Sequence, residues 1–237
     1  MPIVIAGAGL IGAAIAYHLA RDGHDVLVLE RSGIAAEASS KSFGWINSSI
    51  GNSNVYARLR QDSIAAYRSL DAALANRLPL KWGGGLWWHE DESLLERSYL
   101  ELKAQGYPVR WLARDDIKAL EPNLASVPER ALLAENEGSL DCEAAVHLLL
   151  DAAREMGAEL HLNTEVREFS RKGRKLVIET GAGQILADRL VLATGAASEA
   201  LAARHGVSLP LKNLPGFLAR TKPLKPVLNR VLLSPRL

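Results

Sequence analysis

Residues 3–12 read Ile3-Val4-Ile5-Ala6-Gly7-Ala8-Gly9-Leu10-Ile11-Gly12, and residues 25–30 read Asp25-Val26-Leu27-Val28-Leu29-Glu30. Ile3 to Ala6 is a short apolar run, as expected of a strand buried on both faces. Three glycines at the spacing G-x-G-x-x-G break it. From Leu10 to Arg21 apolar residues recur at helical spacing, with Ile11, Ile15 and Leu19 in one stripe, and Gly23 supplies a stop. Asp25 to Glu30 is a second apolar run. Strand, helix and strand within about 30 residues predict a βαβ unit with a parallel pair.

That context gives the glycines a chemical meaning. Gly7 permits the tight turn, Gly9 lets backbone approach a pyrophosphate, and Gly12 lets the helix pack close to the sheet. A pyrophosphate would lie at the positive end of the helix, where free N–H groups point outward. Glu30 ends the second strand, 18 residues after Gly12. A carboxylate there accepts hydrogen bonds from adenosine ribose hydroxyls and repels a 2′-phosphate, so NADP is disfavoured. The fingerprint by itself serves FAD or NAD.

The rest of the chain narrows the class. It has 237 residues, 28 Lys plus Arg against 27 Asp plus Glu, and 48% hydrophobic residues. This balance excludes intrinsic disorder, and no basic excess exists for a nucleic-acid partner. A single cysteine, Cys142, forbids an internal disulfide and any multi-cysteine metal site, which fits a reducing, cytoplasmic setting. Six histidines show no ligand spacing, so no metal is expected. No apolar run reaches the ~18 residues of a transmembrane helix.

Further along, residues 31–54 form a long polar loop rich in Ser, Gly and Asn, of the kind that is usually functional in a compact domain. A helix is expected from Val55 to Arg77, a glycine-broken strand from Lys81 to Glu90, and helices from Asp91 to Gln105 and Arg114 to Leu120. Asp141 is a good N-cap for a helix with Ala144, Leu148, Ala152 and Met156 on one face. Glu159 to Phe169 reads as extended, Lys175 to Thr180 and Gln184 to Ala187 as a hairpin, and Arg189 to Ala193 as a buried strand leading into Thr194-Gly195 and a helix. Gly216 to Thr221 and Val227 to Ser234 read as extended. Trp82, Trp87 and Trp88 are expected to pack between sheet and helix. In the long loop, Ala38 to Asn47 (ASSKSFGWIN) combines hydroxyls and free backbone N–H groups, able to cradle a diphosphate, with Gly44 placed to let the chain pass close to a flat ring.

The chain resembles the FAD-dependent amine and amino-acid oxidoreductases of the D-amino-acid oxidase, glycine oxidase and sarcosine oxidase type. The resemblance rests on residues 5–31, on ASSKSFGWIN, on Leu120-Glu121-Pro122-Asn123-Leu124, on Glu137-Gly138-Ser139-Leu140-Asp141, on Gly157-Ala158-Glu159 leading to Glu165-Val166, and on residues 187–198 (ADRLVLATGAAS). It implies that Leu10 and Ile11 meet the diphosphate through their backbone, and that Glu30 and Arg31 contact the adenosine ribose. Ala38 and Ser39 would reach toward the diphosphate and ribityl chain, and Phe43, Gly44 and Trp45 would lie beside the isoalloxazine. Val166 would recognise adenine, and Thr194 and Gly195 would form a turn near the nucleotide.

The implied fold is α/β: a Rossmann-like FAD-binding domain, discontinuous over 1–77, 142–169 and 187–206, interleaved with an α+β substrate domain over 78–141, 170–186 and 207–237 that contains an antiparallel sheet. The implied chemistry is hydride transfer from the carbon bearing nitrogen in a small amine or amino acid to flavin, with hydrolysis of the imine in water. The flavin carries the electronic burden, so no catalytic side chain is assigned. Oxygen or an electron-transfer partner would reoxidise it. An NAD-dependent dehydrogenase is the rival, and it requires a βαβαβ run continuing directly after Glu30. Family members run on well past the last residue here, and Val227 to Ser234 is expected to end without a following strand to pair with. On this reading the chain is truncated, and its rival is a non-catalytic FAD- or ADP-binding fragment.

Overall fold

A computed structural model describes residues 1–49, 54–212, 214, 216–222 and 224–234. Residues 50–53 of the long loop, and 213, 215, 223 and 235–237, lie outside this description. The chain divides into two compact units, Met1–Ser42 with Cys142–Leu218, and Phe43–Asp141 with Ala219–Leu237. These boundaries differ from the expected domains: residues 43–77 lie in the second unit, and 170–186 and 207–218 lie in the first.

In the first unit a four-stranded parallel sheet runs in the order Arg189–Leu192, Ile3–Ala6, Val26–Leu29, Glu159–His161. The βαβ unit forms as expected, with its helix spanning Leu10–Arg21. Alternation sends side chains to both faces of the sheet. Val4, Ala6, Leu27 and Leu29 meet Val166, Ile178 and Ala187 of an antiparallel sheet, Val166–Lys172, Lys175–Thr180 and Gly183–Ala187. This hairpin sheet, assigned from sequence to the substrate domain, thus shares the core of the parallel sheet. Each fully buried aliphatic side chain contributes about 1.5–3 kcal/mol.

The helix Leu10–Arg21 packs against a second helix, Cys142–Glu155. Two expected faces are corrected here. The buried residues of the first helix are Gly12, Ala13, Ala16, Tyr17 and Ala20, and Ile11 of the expected stripe is 66% exposed. The second helix buries Cys142, Ala145, Val146, Leu149, Leu150, Ala152 and Ala153, whereas Ala144 and Met156 are exposed. Small residues let the two axes approach, so the close face is not the bulkiest one.

The second unit holds a four-stranded sheet in the order Val231–Leu233, Gly85–Trp87, Arg130–Ala134, Val109–Ala113. A smaller antiparallel sheet joins Trp45–Ile46, Gly138–Leu140 and Leu80–Lys81. Helices span Asn54–Ala73, Glu92–Ala104 and Arg114–Leu120. Asp91 caps the second of these by accepting from the Ser93 N–H at 2.9 Å, and the Ser93 hydroxyl together with that N–H holds its carboxyl below the usual carboxylate range. The first helix stops short of the expected Arg77, because Ala75 and Asn76 adopt φ of 56° and 57°. Leu86, Leu112, Ile117, Ala131 and Leu133 form the core, with Trp88 against it; Trp87 is buried and Trp82 lies under the Arg68 guanidinium at 4.0 Å.

The last strand pairs with an earlier one, at the edge of its sheet. Val231–Leu233 pairs in parallel with Gly85–Trp87, a strand that precedes it by more than 140 residues. Glu121, fully buried, accepts from the Asn229 N–H at 2.9 Å and from Arg230 Nη1 at 3.1 Å, and so fixes the approach to that strand. Gly216 to Thr221, expected to be extended, contributes no strand.

Candidate functional site

Within the first unit, the carboxyl ends of three parallel strands open into a groove of about 590 Å³. Ala6 ends the first strand and Gly7 follows it, Leu29 ends the second and Glu30 follows it, and Leu192 ends the strand Arg189–Leu192 ahead of Ala193 and Thr194. In open α/β sheets this end is where ligands bind. Eleven of the residues expected to hold a cofactor line the groove: Gly7, Gly9, Leu10, Ile11, Glu30, Arg31, Ala38, Ser39, Val166, Thr194 and Gly195.

The glycine turn is built for close contact. Gly7 has φ 108°, and a side chain on it would overlap the Ala193 carbonyl oxygen. Gly12 does not line the groove; a side chain there would overlap the Gly7 carbonyl oxygen, so its role is packing under the turn. Ala13 makes the first helical hydrogen bond, to Gly9 O at 2.9 Å. Leu10 N–H donates to Ser39 Oγ at 3.0 Å. Among the described residues the amides of Ile11 and Gly12 have no acceptor in the protein. Free amides at the positive end of a helix dipole form a site for an anion.

Glu30 sits at the rim with partners of its own. Oε2 accepts from the Ala8 N–H at 2.9 Å, and Oε1 accepts from the Ser32 N–H at 2.9 Å and the Ser32 hydroxyl at 3.1 Å. A carboxylate offers about four lone-pair sites. Three are used, which leaves room for one further donor and locks the group in place. Arg31, expected beside the ribose, donates to Glu37 at 2.9 Å. That bond, with Lys41 nearby, holds the Glu37 carboxyl below the usual range.

Opposite, Val166 is buried and begins its strand, while the preceding Thr164 N–H donates to Glu30 O at 2.8 Å. Thr194 Oγ1 lies 2.9 Å from Ser198 Oγ, and Gly195 opens a short 3-10 turn into the helix Ser198–Ala203. The lining also contains residues that sequence reasoning passed over, among them Ala35, Glu37, Thr164, Ser198 and Leu201. Ala35 carries φ 56° and donates to Ala8 O at 3.0 Å. An alanine gives no sequence signal of a left-handed backbone.

Phe43, Gly44 and Trp45 are not part of this groove; they open the second unit. Phe43 is 66% exposed, and its ring centroid is 6.3 Å from that of Trp45. Gly44 has a reason internal to that unit, since at φ 67° a side chain would overlap the Leu140 carbonyl oxygen.

The groove's donor set suits an adenine dinucleotide. It offers unpartnered amides where a pyrophosphate needs donors, a fixed carboxylate at the second strand end, and apolar walls at Ala6, Leu29 and Leu192. Residues 2–236 match the family model described as FAD dependent oxidoreductase (DAO). The chain belongs to this family. It is 28% identical over 242 residues to a glycine oxidase of Geobacillus kaustophilus (strain HTA426), an alignment covering 98% of this chain and 64% of that protein. It is 25% identical to D-amino acid dehydrogenase 2 of Mesorhizobium japonicum (strain LMG 29417 / CECT 9101 / MAFF 303099), over 95% of this chain and 68% of that one. The crystal structure of glycine oxidase from Geobacillus kaustophilus matches with a TM-score of 0.84 at 26% identity, covering 99% of this chain and 66% of that one. This member of the family therefore spans about two thirds of the length of these relatives. Its family's cofactor is FAD. Among the described residues, no helix is long and apolar enough to cross a membrane.

Proposed function

We propose that the chain binds FAD in the groove of its first unit and serves the oxidation of a C–N bond in an amine or amino acid, hydride passing from the carbon that bears nitrogen to the flavin. The observation that carries this reading is the convergence, at one strand-end groove, of the glycine turn, the Ser39 hydroxyl, the Glu30 carboxylate, Val166 and the Thr194-Gly195 turn. The relatives' names support the substrate class, since one is a glycine oxidase and another a D-amino acid dehydrogenase.

The chain's own residues account for binding and orientation. Gly9 leaves space for a pyrophosphate, and the Ile11 amide stands ready to donate to it. Ser39 Oγ accepts from Leu10, so its hydroxyl proton remains to be given outward. The remaining lone pair of Glu30 suits a ribose hydroxyl. Arg31, Ala38 and the backbone of Val166 extend the same cradle. Phe43, Gly44 and Trp45 are assigned to the flavin ring by the family resemblance alone. FAD, when bound, supplies the acceptor for the electron pair. No side chain is required as a general base, and the imine product hydrolyses in water.

The sheet order also favours FAD over NAD. The strand beside Val26–Leu29 is Glu159–His161, some 130 residues later, rather than the next strand of a continuous βαβαβ run. The test is a fluorescence titration of the flavin-free protein with FAD, in the presence and absence of excess NAD. Saturable quenching unaffected by NAD supports the reading. Displacement by NAD, or no quenching, overturns it.

A further inference from the structure

Glu137 is fully buried in the second unit. Its Oε1 accepts from the N–H of Ser48 at 2.9 Å, the N–H of Ser49 at 2.9 Å and the Tyr107 hydroxyl at 3.1 Å. Its Oε2 accepts from the Trp45 indole Nε1–H at 3.0 Å. The indole and the two amides can only donate. All three are aimed at one carboxylate, the acceptor-only form that suits four donors, and such charge-assisted bonds are the strong ones.

The surroundings are shaped to this arrangement. A side chain on Gly85 would overlap Glu137 Oε2 and crowd the Trp45 indole. The strand Trp45–Ile46 pairs with Gly138–Leu140, and the buried Ser48 and Ser49 that follow it both aim their N–H groups at Glu137. Ser48 Oγ donates to Ala57 O at 3.0 Å, and Arg60 Nε donates to Asn47 O at 2.8 Å. Burial pushes the Glu137 carboxyl up, opposed by the bonds from Ser48, Ser49 and Tyr107. Burial and the Glu137 charge push the Tyr107 phenol up as well, so that it remains a donor. A buried carboxylate is costly unless its bonds are made, and removing it would leave several buried donors unsatisfied.

We propose that Glu137 is a positioning residue: it fixes the Trp45 indole and the Ser48 and Ser49 amides, and so sets how the Phe43–Trp45 segment is presented. The consequence for flavin rests on the functional reading above, which assigns that segment to the ring. The hub itself stands on its own geometry.

Glu137→Gln is the informative change. An amide has one oxygen and one NH₂ group, so keeping the Ser48 and Ser49 bonds turns a donor toward the Trp45 indole N–H. Trp45 emission is read as the difference between each protein and its Trp45→Phe counterpart, without flavin. FAD affinity and the visible bands of bound flavin are then measured for the same set. The expected result is a shifted Trp45 emission in Glu137→Gln, FAD affinity changed by less than about tenfold, and displaced flavin bands. Glu137→Gln added to Trp45→Phe should displace the bands no further. Unchanged emission together with unchanged bands overturns the proposal, as does an equal band shift from Glu137→Gln in the Trp45→Phe background. If Glu137→Gln does not fold, Tyr107→Phe removes one donor from Oε1 and is held to the same outcomes. Failure of the unaltered protein to bind FAD overturns the functional reading, while the emission difference still tests the hub.

Discussion

At Gly9 the backbone has φ −84° and ψ −175°, a conformation open to any residue, and an added Cβ would lie 3.2 Å from Ser39 Oγ. Gly9→Val should therefore fold, yet fill the gap between the turn and Ser39 where a pyrophosphate must pass. We expect FAD affinity to fall by more than about 100-fold, roughly 2.7 kcal/mol, with an unchanged circular dichroism spectrum; retained affinity would show that the phosphates do not cross this turn. Glu30 does two things at once, since its carboxylate ties Ala8 and Ser32 and stands at the rim. Glu30→Ala should weaken FAD by about 1.5–3 kcal/mol, the scale of a hydrogen bond to a charged group. It should also lower stability, because the Ala8 and Ser32 amides lose their acceptor. Affinity left intact in a flavin titration would remove the ribose contact from the assignment.

Among the elements, the helix Leu10–Arg21 shows how a face is chosen. Ala16 is fully buried and Ile11 is 66% exposed, although isoleucine is the more apolar residue. Ala16→Leu should overpack the contact with the helix Cys142–Glu155 and cost about 1–3 kcal/mol. Ile11→Ala should change stability by no more than about 0.5 kcal/mol, as for other surface positions. Urea midpoints of the two variants decide this, and the reverse order would restore the Ile11, Ile15, Leu19 stripe as the core face. The strand Val231–Leu233 depends on Glu121, which is fully buried against an Arg230 side chain that is 18% exposed. Breaking a buried pair by removing one partner costs about 3–5 kcal/mol. Glu121→Ala should approach that loss and speed hydrogen exchange at Leu232 and Leu233 relative to the other strands. Exchange that stays slow at both would mean the strand is held by its pairing to Gly85–Trp87 alone.

For the whole chain, the prediction is one of ligand choice. A ligand that binds only the native state stabilises it by mass action, about 2.7 kcal/mol at one hundred times its dissociation constant. FAD should raise the melting temperature, with a dependence on concentration, whereas NAD and NADP should not. NADP is disfavoured further by the Glu30 charge facing its 2′-phosphate. A larger shift with NAD in differential scanning fluorimetry would reassign the groove to a nicotinamide cofactor.

Much of the first unit was written locally. The run from Ile3 to Glu30 contains strand, turn, helix and strand within the reach of local propensity, and its bounds as read coincide with Ile3–Ala6 and Leu10–Arg21. The Gly181–Gly183 turn likewise marks the hairpin of Lys175–Thr180 with Gly183–Ala187, because turn chemistry is a matter of a few adjacent residues. The strands Val109–Ala113, Arg130–Ala134 and Gly138–Leu140 went unread, since a short apolar run such as Ala131 to Ala134 suits strand or helix equally until a neighbour pairs with it. The partner of Val231–Leu233, the buried faces of the two packed helices and the convergence of four donors on Glu137 were decided only by the tertiary structure. Each joins residues far apart in the chain, and such contacts are selected by packing and by the cost of leaving buried polar groups unpaired, terms that no single segment of sequence contains.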